Sequence, residues 1–331
     1  MRSATPQGRA DQRPIIAGVK QPAEAVQRVA VDAPPLEGLQ AADATASPTH
    51  RPVPHADGVP PAKLMPPEPT ALDGPIVSVV QSWLQAPFVA IQFLSVLPPL
   101  VRRPLGPSDL GRSESFFPLA GLLLGALLAG TELLLRPVVA QPVRDVLLVA
   151  LLAALTGALH LDGVIDTFDG IFAHGGPARR LEIMRDPRAG AFGVVGLVLL
   201  LALKLAALGS LPPDARLPAL LLAPALGRWA IVLVTRQFPY ARPEGMGRSF
   251  KDAVRWSHVA LAGTMAAGLA WVVSGPSGLM VAASVSVLAL LLARWLAGRL
   301  GGLSGDTYGA ICELTEAGVL VALGLQIGGV G

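Results

Sequence analysis

Three aspartates and a histidine lie close together at the end of an apolar run, within residues 156–170. On a helix, Asp162, Asp166 and Asp169 would lie within about 60° of one another around the helix axis. A carboxylate inside a membrane costs roughly 2.5–3.5 kcal/mol, and like charges on one stripe also repel each other. A divalent cation such as Mg²⁺, with a phosphate completing its shell of oxygen ligands, would offset that cost. The spacing therefore predicts a metal-binding stripe, with a solvated helix end as the alternative.

His160 precedes these aspartates and would lie about 160° away from them on a regular helix. It is equally compatible with a catalytic group and with a packing or capping histidine. Gly163 and Gly170 flank the acidic stretch, where they allow a helix break or a close backbone approach. A merely solvated helix end has no need of such glycines, which favours the metal-binding interpretation.

A second segment, residues 177–190, is rich in arginine. Pro177 can begin a helix there and Pro187 can stop it. Guanidinium groups bind phosphate oxygens through paired hydrogen bonds, although loops on the cytoplasmic side of a membrane are rich in arginine in any case. Asp186 could add a fourth carboxylate to the metal or pair with Arg179. The predicted phosphate-binding residues of this segment are Arg179, Arg180 and Arg185.

Two basic residues interrupt apolar runs further along the chain. Arg228 is a functional candidate because an arginine inside a membrane needs a partner within the bundle, with a snorkelling side chain as the alternative. Lys204 raises the same question without a motif nearby. The Pro- and Gly-rich loop at 238–247 contains Arg242 and could form a lid over the site.

The last polar segment, residues 301–316, would place Asp306 and Glu313 on one helix face. Glycines precede Asp306, and a helix that begins there would present free backbone N–H groups to an anion. Either acid could be a general base or a second metal ligand. The alternative is a solvated helix start with an N-terminal acid.

The composition identifies the elements that must position these residues. With 331 residues, 15% of them charged, and a mean hydropathy of +0.55, the chain is too apolar for a soluble domain. We predict an all-α polytopic membrane helix bundle of about seven spans over residues 76–331. The first piece, 76–97, could lie in the interface or enter the bilayer. The predicted spans are at about 115–135, 145–162, 190–209, 217–235, 258–274, 277–298 and 316–330.

Residues 1–75 have a different composition, with 14 of the 31 prolines and no aromatic residue. Such a segment cannot bury enough apolar surface to fold, so we expect a disordered tail. The single cysteine, Cys312, excludes an intrachain disulfide and a cysteine-based metal site. A net charge of +3 without a basic helix argues against a nucleic-acid partner.

Loop charges predict the orientation. Fourteen Lys and Arg residues fall on one side of the predicted spans and three on the other. The positive-inside rule places the richer side, which carries all the polar segments above, in the cytoplasm. The chain contains no P-loop, no G-x-S-x-G and no H-E-x-x-H motif. The remaining chemistry is that of a diphosphate substrate, Mg²⁺ and phosphoryl transfer.

Over roughly residues 78–330 the chain resembles cobalamin synthase, the adenosylcobinamide-GDP ribazoletransferase family of bacterial vitamin B12 assembly. The resemblance lies in many motifs that occur in the same order. They are Phe93–Pro98, Phe117–Gly121, Leu159–Gly163, Asp166–Gly170, Arg180–Asp186, Phe192–Gly193, Phe238–Gly245 and Gly305–Ala310.

The resemblance implies a multi-pass enzyme of the bacterial inner membrane whose active site faces the cytoplasm. It would join α-ribazole, or its 5′-phosphate, to adenosylcobinamide-GDP with release of GMP, using Mg²⁺ as cofactor. It also leaves room for other corrinoid-assembly enzymes as partners. The resulting hypothesis names metal ligands, phosphate-binding arginines and catalytic groups. The metal ligands would be Asp162, Asp166, Asp169 and Asp186. The phosphate-binding residues would be Arg179, Arg180, Arg185, Arg228 and Arg242. The catalytic groups would be Asp166, Asp306, Glu313 and His160.

Two alternatives are carried forward. A CDP-alcohol phosphotransferase also uses closely spaced aspartates at the membrane face, but its Asp-Gly-x-x-Ala-Arg run is missing from this chain. A metal or ion transporter would have inverted repeats and acids near the middle of the bilayer. Neither feature is found in the sequence, where the acids collect on one side.

Overall fold

The computed structural model describes residues 75–327, and within this range the fold is entirely helical apart from one isolated bridge. The predicted tail lies almost wholly outside the described residues. The described range contains eleven helices. They are α1 (Pro75–Leu94), α2 (Pro107–Glu114), α3 (Phe117–Leu135), α4 (Gln141–Leu155), α5 (Leu159–Phe172), α6 (Pro177–Ile183), α7 (Ala191–Ser210), α8 (Pro213–Gln237), α9 (Met246–Ala253), α10 (Trp256–Leu300) and α11 (Gly305–Ile327).

Five of the described helices, α3, α7, α8, α10 and α11, are long and apolar enough to cross a membrane. Helices α4 and α5 meet the same test only as a pair, and their axes differ by 91°. The prediction of an all-α, multi-pass membrane protein is therefore confirmed. Counted as continuous helices among the described residues, the spans number five, or six with the bent pair.

The predicted number of about seven spans depends on the 45-residue helix α10. Its backbone leaves helical geometry at Gly275, with φ 59° and ψ −142°, directly before Pro276. A Cβ atom on Gly278 would collide with the backbone oxygen of Ala270, so the two halves fold back on each other. They correspond to the predicted spans 258–274 and 277–298.

The predicted continuous span at 145–162 is wrong. The chain breaks between α4 and α5, where Gly157 and Ala158 both have the left-handed conformation, with φ 60° and 57°. The predicted break at Gly163 or Gly170 does not occur, because α5 is continuous through both residues. The acidic stretch therefore lies on one unbroken helix that starts at a sharp bend.

Helix α8 is the centre of the bundle and packs against α3, α10 and α11. Its contact with α3 is close because α3 has glycine at the crossing. A Cβ atom on Gly125 would lie 2.6 Å from the backbone oxygen of Leu220. Larger side chains at this crossing would force the two helices apart.

One end of the bundle is held by buried ion pairs that we call the outer charge cluster, formed by Glu132, Arg144, Asp145 and Arg216. Glu132 accepts hydrogen bonds from Arg144 Nε at 2.8 Å and from Arg216 Nε at 3.1 Å. Arg216 also donates to Asp145. All four side chains are buried. Two of the three basic residues on the predicted outer side are thus neutralised inside the protein, and Arg136 is exposed.

Helix α2 buries a carboxyl group just before α3, the first of the helices able to cross a membrane. The Glu114 side chain is 1% exposed, and its Oε2 atom has no hydrogen-bond partner among the described residues. Burial raises the pKa of this carboxyl well above its usual value of 4.5, against the opposing charge of Lys251. Native Glu114 therefore keeps its proton at pH values at which the unfolded chain has released it.

The raised pKa of Glu114 makes the protein less stable as the pH rises. Stability from the protonated Glu114 is complete below the ordinary glutamate pKa and is lost as the pH rises, because the unfolded state then binds fewer protons than the native state. We expect Glu114→Gln to reduce the fall of the melting temperature of the detergent-solubilised protein between about pH 5 and pH 8 by about 3 °C or more. The exposed Glu182→Gln is the matched control. Equal pH dependence in the wild type and Glu114→Gln would contradict the expectation.

Candidate active site

Helices α5 and α11 approach closely at two glycines and run antiparallel. A Cβ atom on Gly163 would lie 2.6 Å from the backbone oxygen of Asp306, and one on Gly309 would lie 3.1 Å from the Cα atom of His160. Only glycine allows the backbones to come this near. The N-terminus of α11 is thereby placed beside the aspartates of α5.

Asp166 is the middle of the resulting acidic site. The carboxylates of Asp306, Asp162 and Asp169 are near enough for their charges to act on it. Asp162 is exposed, whereas Asp166 and Asp306 are half-buried. The structure therefore brings Asp306 of α11 close to the aspartates of α5.

Arg242 lies against this acidic site and donates a hydrogen bond from Nη2 to Asp306 Oδ2 at 2.7 Å. Its loop is held by a short parallel bridge to the residues before α11. Ala241 N–H donates to Leu303 O, and Leu303 N–H donates to Pro239 O, each at 2.8 Å. The pairing fixes the predicted lid loop at the mouth of the acidic site.

Asp169 is used differently from the other two aspartates of α5. Its Oδ2 atom accepts the backbone N–H of Gly190 at 2.7 Å, and its Oδ1 atom accepts that of Gly193 at 2.8 Å. These N–H groups are at the N-terminus of α7, where a negative charge is favoured. The three aspartates of α5 were predicted to be equivalent metal ligands. In the structure Asp169 binds the N-terminus of α7, whereas Asp162 and Asp166 do not.

The arginine segment forms the short helix α6 next to the acidic site. A Cβ atom on Gly170 of α5 would lie 3.1 Å from the backbone oxygen of Arg180, so α6 rests against the end of α5. Arg180 is half-buried, while Arg179 and Arg185 are exposed. Arg179 pairs with Glu182 at 2.7 Å on the surface. These arginines can reach an anionic substrate with little desolvation.

Of the two alternatives for Asp186, a metal ligand or a partner of Arg179, the structure does not show the second. Asp186 lies beyond the end of α6 and pairs with Arg188, whose Nη2 atom is 2.7 Å from Asp186 Oδ2. The hydrogen bonds from Arg188 lower the pKa of the Asp186 carboxyl to about 2. Both oxygens of Asp186 are used in this local contact.

No three Asp, Glu, His or Cys side chains in the described part of the chain lie close enough together to hold a metal ion by themselves. The predicted carboxylates Asp162, Asp166, Asp169 and Asp186 are therefore not gathered into one metal cluster. Mg²⁺ usually keeps several waters and takes one or two carboxylates together with substrate phosphates. Asp162 and Asp166 fit that arrangement, because they lie on adjacent turns of α5. Neither of them forms an ion pair within residues 79–325. Asp169, Asp186 and Asp306 already have positively polarised partners.

A second polar group, the inner charge network, lies inside the bundle and consists of His160, Lys204, Arg228, Glu313 and Glu316. Lys204 Nζ bonds to Glu313 and, at 2.6 Å, to Glu316 Oε2. Arg228 bonds to Glu316, and its Nη2 atom is 3.3 Å from His160 Nδ1. All five side chains are buried. The network joins α5, α7, α8 and α11.

These contacts do not favour three of the predicted functional roles. Arg228 is 0% exposed and so cannot reach a phosphate in this arrangement. Glu313 lies two turns along α11 from Asp306, about 10 Å away, and is neutralised by Lys204. His160 faces Arg228 and not the aspartates of α5. Glu316 was missed, although the unmatched Lys204 required an acidic partner within the membrane.

Comparison with known proteins gives a consistent result. The family model for cobalamin-5-phosphate synthase matches residues 86–324. An adenosylcobinamide-GDP ribazoletransferase of Geotalea daltonii is 44% identical over 242 residues, which cover 73% of this chain and 97% of the relative. Proteins with the same name from Roseiflexus sp. and Stutzerimonas stutzeri are 42% and 43% identical over 72% of this chain, covering 88% and 98% of those relatives. No solved structure matches the chain significantly.

Proposed function

Since the chain belongs to the cobalamin-5-phosphate synthase family, we propose that it joins α-ribazole, or its 5′-phosphate, to adenosylcobinamide-GDP and releases GMP. The products would be adenosylcobalamin or its 5′-phosphate. The observation that supports this reaction is the meeting of Asp162, Asp166 and Asp306 with Arg242 at one end of the membrane bundle.

The acidic site suits a diphosphate substrate that arrives with a metal ion. Asp162 and Asp166 would hold Mg²⁺, which supplies charge neutralisation at the diphosphate oxygens when bound. Arg179, Arg180 and Arg185 carry positive charge beside the same end of α5. They would bind the phosphate of the departing GMP.

Asp306 is the acid best placed to act as general base. It is half-buried at the start of α11 and faces the aspartates of α5. Arg242 would move its hydrogen bond from Asp306 to a substrate phosphate, which frees the carboxylate. Asp306 would then accept the proton of the ribazole hydroxyl as its oxygen attacks the corrinoid-side phosphorus and the bond to GMP breaks.

We further propose that the acidic site faces the cytoplasm from the bacterial inner membrane. The arginine-rich loops are on the same side as the acids, as the positive-inside rule requires. Two arginines on this side stack on tryptophans, as is common at a membrane interface. Arg236 lies 5.0 Å from the Trp256 ring and Arg299 lies 4.9 Å from the Trp295 ring.

The test is to incubate the purified protein with adenosylcobinamide-GDP, α-ribazole 5′-phosphate and Mg²⁺. We expect equimolar GMP and corrinoid product, and loss of both on addition of EDTA with recovery on excess Mg²⁺. CDP-activated lipid with an alcohol acceptor is the parallel substrate pair. Turnover of that pair alone, or metal flux into liposomes without transferase activity, would contradict the proposal and favour the corresponding alternative.

A further inference from the structure

Asp169 connects α5 to the start of α7, and the arginine segment lies between these two helices in the chain. Both carboxylate oxygens accept backbone N–H groups at the start of α7. Distances of 2.7 and 2.8 Å are typical of hydrogen bonds from N–H groups to an ionised carboxylate. The interaction joins residues that are 21 and 24 positions apart in the chain.

The first two turns of α7 are shaped to receive α5 at this point. A Cβ atom on Gly193 would lie 2.7 Å from the backbone oxygen of Ile165, and one on Gly196 would collide with the ring of Phe168. Ile165, Phe168 and Asp169 all lie next to Asp166 along α5. The start of α7 therefore packs directly on the part of α5 that carries the central acid.

The same contact fixes the arginine segment. Helix α6 lies between α5 and α7 in the chain, and the backbone oxygen of Arg180 and the side chain of Met184, at its C-cap, lie against Gly170. The bond from Gly190 to Asp169 returns the chain to α5 after α6. The segment that bears the phosphate-binding arginines is thus held to α5 through α6 and again where the segment ends.

From this arrangement we infer that Asp169 is a positioning residue, which docks the N-terminus of α7 onto α5, and that it is not a Mg²⁺ ligand. It holds the place of the arginine segment, while Asp162 and Asp166 supply the carboxylates for the metal. The inference rests on the proposed function for its kinetic part only. The docking contact itself can be tested without any substrate.

Gly190 allows a test that leaves every charge in place. The three atoms nearest to a Cβ atom added there all belong to the carboxyl group of Asp169. Its backbone, with φ −88° and ψ 172°, is allowed for alanine. Gly176 is a matched control, because it also precedes a helix, has φ −79° and ψ 177°, and has open space around its Cβ position.

The variants Asp169→Asn, Gly190→Ala, Gly176→Ala and Asp162→Asn are compared as full-length protein in detergent. Amide hydrogen exchange is measured over residues 190–194, and Mn²⁺ binding is measured by electron paramagnetic resonance in the presence of GDP. For Asp169→Asn and Gly190→Ala we expect exchange to be faster by about tenfold or more with unchanged Mn²⁺ affinity. Asp162→Asn should show the reverse, and Gly176→Ala neither change.

The kinetic readout separates positioning from simple destabilisation. Turnover per folded molecule should fall by about a hundredfold in Asp169→Asn and Gly190→Ala, with the same Mg²⁺ concentration at half-maximal rate. Two results would overturn the inference. They are unchanged exchange at 190–194 in Asp169→Asn, and a loss of Mn²⁺ affinity in that variant equal to the loss in Asp162→Asn. Absence of corrinoid turnover in the wild type would instead contradict the proposed function and leave both physical readouts valid.

Discussion

Asp166→Asn is expected to lower GMP release by about 1,000-fold while the protein still folds and inserts into the membrane. Asparagine keeps the size of the side chain but cannot supply the negative charge that a metal ion requires at the centre of the acidic site. Asp166 is half-buried and has Asp162, Asp169 and Asp306 around it, so removal of its charge relieves repulsion among these acids when no metal ion is added. The melting temperature should therefore stay the same or rise.

The measurement is GMP release by purified protein under saturating Mg²⁺, together with thermal unfolding. The matched control is Asp252→Asn, an exposed acid that pairs with Arg248 on the surface. We expect the control to retain wild-type turnover. Full activity in Asp166→Asn would refute the role assigned to Asp166, and equal loss in both variants would indicate a nonspecific effect.

The second large effect is expected at Lys204. The inner charge network holds two cationic and two anionic side chains, so its buried charges balance. Lys204→Met would leave an uncompensated buried carboxylate, which costs about 3–5 kcal/mol. The double variant Lys204→Met/Glu313→Gln removes one charge of each sign and should recover much of that loss.

Thermal unfolding in detergent measures both variants. Arg248→Met is the control, because it breaks an exposed ion pair with Asp252, whose contribution is about 0–1 kcal/mol. If the double variant unfolds at the same temperature as Lys204→Met, charge balance is not what the network provides. If Lys204→Met matches the wild type, the buried ion pairs contribute nothing to stability.

Sequence reasoning worked where the relevant pattern is local. The spacing of Asp162 and Asp166 places them on one face of a single helix whatever surrounds it, and their nearness in the structure follows from that geometry. The predicted spans 258–274 and 277–298 are also separated where α10 leaves helical geometry at Gly275, since a proline directly after it interrupts the helix locally. The apolar runs fixed the membrane class for the same reason.

The contacts that the sequence did not indicate arise where the partner is far away in the chain. Asp169 looks equivalent to its neighbours until Gly190 and Gly193 are brought to it by the return of α7. Arg228 and Glu313 looked functional because they are charged residues in apolar surroundings. Their partners Glu316 and Lys204 lie 88 and 109 positions away, a distance that no local pattern reports.

The break before α5 occurs at Gly157, whereas the sequence analysis predicted a break at Gly163 or Gly170. Gly157 adopts the left-handed conformation and ends α4, whereas Gly163 and Gly170 remain helical. The last two are glycines because neighbouring segments approach them closely, with Asp306 at one and Arg180 at the other. A single sequence does not distinguish a glycine needed for backbone conformation from one needed for space.

The outer charge cluster makes the two ends of the bundle mechanically unequal. It ties α3, α4 and α8 together through buried side chains. These side chains lie at the other end of the bundle from the acidic site. At the acidic end, by contrast, the connecting segments are loops and short helices held by a few hydrogen bonds. Separating the helices at the tied end would leave buried charges without their partners, so a change of conformation is more easily accommodated at the acidic end.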